Sequence, residues 1–382
     1  MKHIALFILT AAISCLASAQ PDSRFTEANN RFAFELFSNV VSGYQGNNVF
    51  VSPYSISSAL AMTYAGARNE TEKQMSAAMH FDLGKIKTQQ GFSDLTNAIT
   101  KASDSLTISI ANAVWSRITL NPDFINVTRK YYGSCLFRYI NADSINGWTK
   151  THTMGKIDRI VTPDDVMDAS VVLTNAIYFK GDWMKSFDVS KTFKSDFCIE
   201  DKKNVQADFM HRKSEYNYYE DSLCKMIELP YKGNDVSMII LLPEASTTAS
   251  QLAVNLTADK FGSCRSQMKK KSVDLKLPKF SFTFFTPLND VLIKMGMPLA
   301  FSSEADFSGM APDLHIDKVL HKAFIQVDEK GSTAAAVTAV VMTKSIQLSY
   351  EFNANHPFIF IICDNRTSCI LFMGYVNDPT KS

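Results

Sequence analysis

The stretch of residues 329–346 (Glu-Lys-Gly-Ser-Thr-Ala-Ala-Ala-Val-Thr-Ala-Val-Val-Met-Thr-Lys-Ser-Ile) constrains the fold most. It opens like a turn with Glu329, Lys330 and Gly331, and small and β-branched residues that suit a closely packed strand follow. It is interpreted either as a strand buried on both faces or as an alanine-rich helix, which the β-branched residues disfavour. The third interpretation is a segment outside a sheet that later enters it, because small side chains fit between two strands. As a strand, residues 332–344 would span roughly 43 Å.

The sequences on either side favour the third interpretation. A strand-like run at 320–328 precedes the stretch, and Phe-Asn-Ala-Asn-His-Pro-Phe at 352–358 and a hairpin-like run at 370–379 follow it. This order of strand, Glu-x-Gly-Ser/Thr-x-Ala-Ala-Ala hinge, variable tip, His-Pro-Phe motif and hairpin resembles the serpin family, over about Phe25 to Asp378. The resemblance implies an α+β serpin fold. About eight or nine helices would surround three β-sheets, with an exposed reactive-centre loop near the C-terminus, at about residues 329–350.

Residues 1–19 have the pattern of a secretory signal peptide. Lys2 and His3 are polar, residues 4–16 are mostly apolar, and Ala-Ser-Ala follows at 17–19. The apolar run is too short to cross a bilayer. We therefore expect residues 20–382 to form a single serpin domain that is secreted and extracellular and has no membrane partner.

Secretion would expose the chain to glycosylation. Asn-x-Ser/Thr sequons occur at Asn69, Asn126, Asn255 and Asn365. Asn365 is the least certain of the four, because it lies in a tight turn where access is hindered.

Six of the seven cysteines lie after residue 19. Cys363 and Cys369 flank a predicted turn, so they either form a disulfide across a hairpin or remain free thiols packed in strands. Pairing among the other four cannot be read from the sequence. No spacing resembles a zinc site, and no metal is predicted.

Composition and motifs argue against several functions. A formal net charge of +1 gives no general attraction to nucleic acid or anionic membranes. The short run Lys269–Lys271 is interpreted as a solvated helix end, and residues 81–105 contain only three lysines, so heparin binding is not predicted. No nucleophile-elbow, metalloprotease, Walker or dinucleotide-binding motif occurs, so we predict neither an enzyme nor a cofactor.

The resemblance also implies roles for residues far from the loop. Ser52, Ser55, Asn175 and His321 would form the shutter, a group of hydrogen-bonding side chains beneath the main sheet, and Trp183 would lie at the breach, where the loop begins to enter. From the residues alone, His321 is a buried, hydrogen-bonded core histidine, and Trp183 is a large core or rim residue.

The function implied by the resemblance is suicide inhibition of a serine protease. The enzyme would form an acyl-enzyme with the loop tip, and cleavage would free the hinge to insert as a new strand, trapping a covalent complex. The hinge comprises Glu329, Gly331, Ser332, Thr333, Ala334, Ala335, Ala336 and Val337.

Three bonds compete as the cleavage site. The usual serpin spacing from Glu329 gives Ser345–Ile346. Lys344–Ser345 suits a trypsin-like enzyme and is favoured on chemistry, whereas Met342–Thr343 would suit chymotrypsin- or elastase-like enzymes. We expect a monomeric inhibitor of a trypsin-like protease. The alternatives are an inhibitor of chymotrypsin-like, elastase-like or cysteine proteases, and a non-inhibitory serpin that acts as a carrier, chaperone or storage protein.

Overall fold

The computed structural model describes residues 21–100, 106–133, 135–138, 140–331 and 349–382. The predicted signal peptide and the part of the reactive-centre loop at 332–348 lie outside these residues. The described α-helices are α1 (Ser23–Gly43), α2 (Pro53–Gly66), α3 (Asn69–Ala78), α4 (Lys85–Thr100), α5 (Pro122–Tyr132), α6 (Ala142–His152), α7 (Pro163–Val166), α8 (Ala249–Asn255), α9 (Ala258–Ser266) and α10 (Asn289–Lys294).

The described β-strands are β1 (Val49–Val51), β2 (Leu106–Ser116), β3 (Cys135–Phe137), β4 (Val171–Gly181), β5 (Phe193–Cys198), β6 (Asn204–Glu220), β7 (Cys224–Pro230), β8 (Val236–Pro243), β9 (Lys269–Pro278), β10 (Phe280–Pro287), β11 (Lys318–Val327), β12 (Tyr350–Asn353), β13 (Phe358–Asp364) and β14 (Ile370–Val376). Short 3-10 helices occur at Val189–Lys191 and Pro298–Phe301.

These strands form two hydrogen-bonded sheets rather than the three that were expected. The nine-stranded sheet has the order β1-β14-β13-β8-β7-β6-β9-β12, and β5 pairs with β6. The reason is the length of β6, which at 17 residues pairs with β5, β9 and β7 along its course. One continuous strand therefore joins regions that would otherwise be separate sheets.

The centre of the nine-stranded sheet is apolar and closely packed. Every residue of β8, β13 and β14 is buried, as expected for strands covered on both faces. Phe360 on β13 lies opposite Gly374 on β14, and a methyl group at Gly374 would overlap the Phe360 ring. The glycine thus leaves the space that the aromatic ring fills.

The five-stranded sheet has the order β10-β11-β4-β2-β3. Its main-core face packs on α2, which begins at the N-cap Ser52 with Pro53 in the first turn and is buried over nearly all its residues. The opposite face forms a smaller cluster with α6 and α7. No helix in the described parts of the chain is long and apolar enough to cross a membrane.

Candidate functional site at the joint between two parallel strands

The middle of the five-stranded sheet contains a parallel pair, β4 with β11. The pairing runs from Val172 opposite Lys318 to Tyr178 opposite Phe324. Their outer neighbours, β2 and β10, pair with them in antiparallel fashion. Parallel pairs are slightly less stable per residue than antiparallel pairs. A strand that entered this joint antiparallel to both neighbours would replace one parallel ladder with two antiparallel ladders.

A row of polar side chains, all buried except the half-buried Asn112, crosses the joint, and we call it the shutter row. His321 on β11 lies opposite Asn175 on β4, which lies opposite Asn112 on β2. The ring Nδ1 of His321 is 2.5 Å from Asn175 Oδ1. Asn175 Nδ2 donates to Ser55 Oγ at 2.5 Å and also to Asn112 Oδ1. Ser55 Oγ in turn donates to Asn112 Oδ1 at 3.1 Å. These bonds link three strands to α2.

His321 is neutral in this environment. The imidazole is fully buried, and this burial lowers the pKa of His321 from 6.5 to about 3. Its Nε2 lies 3.4 Å from the backbone nitrogen of Ser52. Because Nε2 then accepts from that N–H, the proton belongs on Nδ1, which donates to Asn175. Ser52 Oγ donates to the Leu371 carbonyl at 2.7 Å, which ties the row to β14.

The sequence reasoning missed Asn112, which belongs to the shutter row as fully as Asn175. Its amide donates to the Ser55 carbonyl at 3.2 Å and its oxygen accepts from Asn175 and Ser55. A signal was present, because Asn is depleted in strands and this one stands between Ala111 and Ala113 in a β-like run.

The turn Asp328–Gly331 follows the end of β11 beside Trp183, the residue predicted for the breach. The backbone N–H groups of Asp328 and Gly331 each donate to the other residue's carbonyl at 3.1 Å. Gly331 has φ +112°, and a methyl group there would lie 2.5 Å from the Trp183 nitrogen, so only glycine fits. Trp183 Nε1 donates to the Asp328 carbonyl at 3.0 Å. The Trp183 ring stacks on Tyr231 at 4.6 Å.

Glu329 holds the same turn through its side chain. It is 6% exposed and accepts from Thr192 Oγ1 at 2.7 Å and Lys279 Nζ at 3.1 Å. Burial alone would raise the pKa of Glu329, but the hydrogen bonds from Thr192 and Lys279 outweigh it and lower the pKa below its ordinary value. The carboxylate therefore stays charged and fixes the start of the loop.

The remaining predicted loop residues lie outside the described part of the chain. These are the hinge residues Ser332, Thr333, Ala334, Ala335, Ala336 and Val337 and the candidate cleavage residues Met342, Thr343, Lys344, Ser345 and Ile346. Within the described ranges, no group of three or more His, Cys, Asp or Glu side chains could hold a metal ion.

The predicted turn between Cys363 and Cys369 is present, but the two cysteines are not bonded. Both are buried free thiols, the second of the two alternatives. In the hairpin, Cys363 lies opposite Ile370 rather than Cys369, and residues one position apart point to opposite faces. Cys369 Sγ instead lies 3.8 Å from Asn29 Nδ2.

The sequons differ in accessibility. Asn69, Asn126 and Asn255 are exposed, whereas Asn365 is half-buried. Its Nδ2 donates to Ser237 Oγ at 2.8 Å and to the Asn234 carbonyl at 2.9 Å. Asn69 Nδ2 and Asn255 Nδ2 also donate hydrogen bonds, so Asn365 differs from them in its burial.

The run Lys269–Lys271 is not a helix end, as the sequence was interpreted. It forms the start of strand β9, after α9 has ended at Ser266. The alternation of apolar and polar residues that indicates a strand is absent from three consecutive lysines.

Comparison with known proteins supports the same fold. A family model for the serpin (serine protease inhibitor) family matches residues 27–379. The leukocyte elastase inhibitor of Sus scrofa is 37% identical over 377 residues, which cover 93% of this chain and 100% of that protein. An uncharacterized serpin-like protein of Methanosarcina acetivorans is 36% identical over 367 residues, 92% of this chain and 85% of that protein.

Solved structures agree. Tengpin, a thermophilic serpin in its native state, has a TM-score of 0.86 and 30% identity, over 95% of this chain and 96% of that chain. Human thyroxine-binding globulin in complex with its hormone has a TM-score of 0.86 and 29% identity, over 94% and 100% of the two chains. The predicted α+β serpin fold is confirmed.

The expectation of an extracellular protein is wrong. Its relatives include leukocyte elastase inhibitors and archaeal serpin-like proteins, and these point away from secretion. The signal-peptide pattern is short, and many unrelated sequences match it. The comparison with relatives over their whole length outweighs it. Glycosylation at the four sequons thereby loses the premise on which it was predicted.

Proposed function

The chain belongs to the serpin family, and from this premise we propose that it inhibits a protease as a suicide substrate. Cleavage of the loop forms an acyl-enzyme, and the freed hinge enters the joint between β4 and β11 before the acyl-enzyme hydrolyses. The product is a covalent complex of one inhibitor monomer with one protease. The protein itself catalyses nothing and needs no cofactor.

The observation that carries this proposal is the pairing of Gly331. It forms one antiparallel bridge with Asp182, just beyond β4, and another with Asp328, just beyond β11. The last described residue before the loop is thus paired with both sides of the joint, in the direction that an inserted strand requires.

Continuing both bridges gives one register. Seven residues beyond Gly331 is Thr338, seven before Asp182 is Asn175, and seven before Asp328 is His321. Asn175 and His321 already lie opposite each other. Both bridges therefore bring Thr338 between the same two residues of the shutter row. Its hydroxyl donates and accepts, so it can replace the bond that insertion breaks and leave neither side chain unsatisfied.

The same register divides the hinge into two faces. Ser332, Ala334 and Ala336 would point with Thr338 into the main core, where Leu173 and Ile177 lie. Thr333 and Ala335 would point to the opposite face. Small side chains are thus required on the core face above all.

The target class follows from the cleavage site. We favour Lys344–Ser345 and hence a trypsin-like protease, because a basic residue suits that enzyme's pocket. The leukocyte elastase inhibitors among the relatives favour the alternative of an elastase-like target, for which Met342–Thr343 offers a suitable bond.

The test uses two arginine variants, Ser332→Arg and the matched control Thr333→Arg. The parent is incubated with trypsin, chymotrypsin and elastase, complexes are read on denaturing gels, and the small C-terminal fragment is identified by mass spectrometry. We expect a covalent band from the parent and the control. Ser332→Arg should be cleaved with at least about a tenfold loss of complex, because a buried arginine cannot be accommodated.

A complex that survives Ser332→Arg would contradict the insertion mechanism. Cleavage of the parent without any covalent band would favour a non-inhibitory carrier, chaperone or storage role. One structural neighbour is thyroxine-binding globulin in complex with thyroxine, so a carrier role has a precedent on this fold.

A further inference from the structure

Three lysines stand beside the point where the loop returns to the body of the protein. Lys269 and Lys270 are exposed and Lys271 is half-buried. Within the described residues, none of the three forms an ion pair, although fourteen ion pairs of lysine or arginine occur elsewhere. Their charge is thus free for an external partner.

The residues directly opposite the lysines do not compensate this charge. Lys269, Lys270 and Lys271 lie opposite Tyr218, Asn217 and Tyr216 of β6, none of which is acidic. Two carboxylates occur on this part of β6. Glu215 lies opposite Ser272, and Glu220 accepts a hydrogen bond from the Tyr218 hydroxyl at 2.6 Å.

The position of the lysines relative to the loop is fixed by β12. Tyr350, the first residue of β12, pairs in parallel with Val273 of β9. Lys271 Nζ lies 5.0 Å from the centre of the Tyr350 ring. Because β9 and β12 are parallel, the lysines that precede Val273 and the loop residues that precede Tyr350 reach the sheet at the same end.

We propose that Lys269–Lys271 form a docking surface for an acidic rim of the target protease, beside its active-site cleft. This inference rests on the proposed function. From the candidate cleavage residue Ser345 to Tyr350 is five residues, roughly 17 Å when extended. A protease that holds this segment in its cleft must therefore bring its own surface close to the lysines, inside the Debye length of about 30 Å at 0.01 M salt. The expected consequence is faster association.

The test compares two double variants with the same net charge. Lys269→Glu/Lys270→Glu alters the surface, and the control Lys87→Glu/Lys294→Glu alters exposed lysines on α4 and α10, which pack on other helices. Each variant changes the formal charge from +1 to −3. The probes are an anionic and a cationic trypsin isoform, which share their preference for lysine and arginine.

The readout is the second-order rate constant for loop cleavage or trapping, at low and high salt. The parent and control should react about tenfold faster with anionic than with cationic trypsin at low salt. The patch variant should lose or reverse this ratio, and high salt should bring all ratios towards one. Equal ratios for the patch variant and the control would overturn the proposal.

Two further outcomes are informative. If the patch variant loses binding to a heparin column while its ratio of rates with the two trypsins is unchanged, the lysines bind a polyanion and the proposal is wrong. Absence of a covalent band refutes the proposed function alone, because the cleavage rate still reports docking.

Discussion

The two sheets bury their polar groups in different places. In β8, β13 and β14 of the nine-stranded sheet, the buried polar side chains Ser237 and Asp364 lie at or next to strand ends. In the five-stranded sheet, Asn175 and His321 lie in mid-strand, at a parallel joint. The centre of the first sheet is held by closely packed apolar side chains. The second is held at its centre by hydrogen bonds whose partners can be exchanged, as strand insertion requires.

The largest effect should come from the apolar sheet. Phe360 is fully buried, with ring centres of Phe280 and Phe50 at 5.4 and 5.7 Å. Phe360→Ala should cost about 3–5 kcal/mol of unfolding free energy, equally in the native and the loop-cleaved protein, because this sheet gains no strand. Urea unfolding of both forms measures it. Phe285→Ala, at a ring that is 41% exposed, is the control, and a loss confined to the native form would break the comparison.

A smaller effect, confined to the native form of the protein, should follow from Asn175→Ala. This change leaves the Nδ1–H of His321 without its acceptor, at a cost of about 1–3 kcal/mol, in the native state. The variant should therefore lose inhibitory activity faster than the parent during mild heating. Asn217→Ala, which removes an exposed bond to Glu228 on the nine-stranded sheet, should leave that rate unchanged. An equal rate for both variants would refute a special role for the shutter row.

The smallest effect should be a pH dependence to which His321 at the joint contributes, beside His356 of the other sheet, whose pKa is also lowered by burial. Burial lowers the pKa of His321 to about 3, below its unfolded value, so the native state binds fewer protons. The stabilisation from the neutral ring is complete above about pH 6.5 and is lost as the pH falls towards 3, at up to about 1.4 kcal/mol per unit. Thermal unfolding of the parent at pH 6.5 and 5.5 should show this loss. His321→Gln should show less of it, and identical pH profiles would exclude His321 as the source.

Part of this contrast could be predicted from the sequence. The sequence at 236–243 is apolar at nearly every position, a pattern typical of a strand covered on both faces. The family resemblance indicated Ser55, Asn175 and His321, which the structure brings into hydrogen-bonding contact. Asn112 was missed because a single polar residue in a strand does not reveal which strand lies beside it.

Other features depend on long-range geometry. The union of three expected sheets into two depends on how far β6 extends, which turn signals do not specify. Likewise, the pairing of Gly331 with both Asp182 and Asp328 depends on contacts between distant segments. The prediction of secretion is the opposite case. It rested on a short local pattern, and the relatives of the whole chain contradict it.

The opposition of Phe360 and Gly374 also has an evolutionary consequence. The ring occupies the volume that any side chain at position 374 would need, so position 374 cannot vary while Phe360 is present. A larger residue at 374 becomes acceptable only after the aromatic residue at 360 has become smaller. In a family alignment, we therefore expect a side chain at 374 only where the residue at 360 is smaller than phenylalanine.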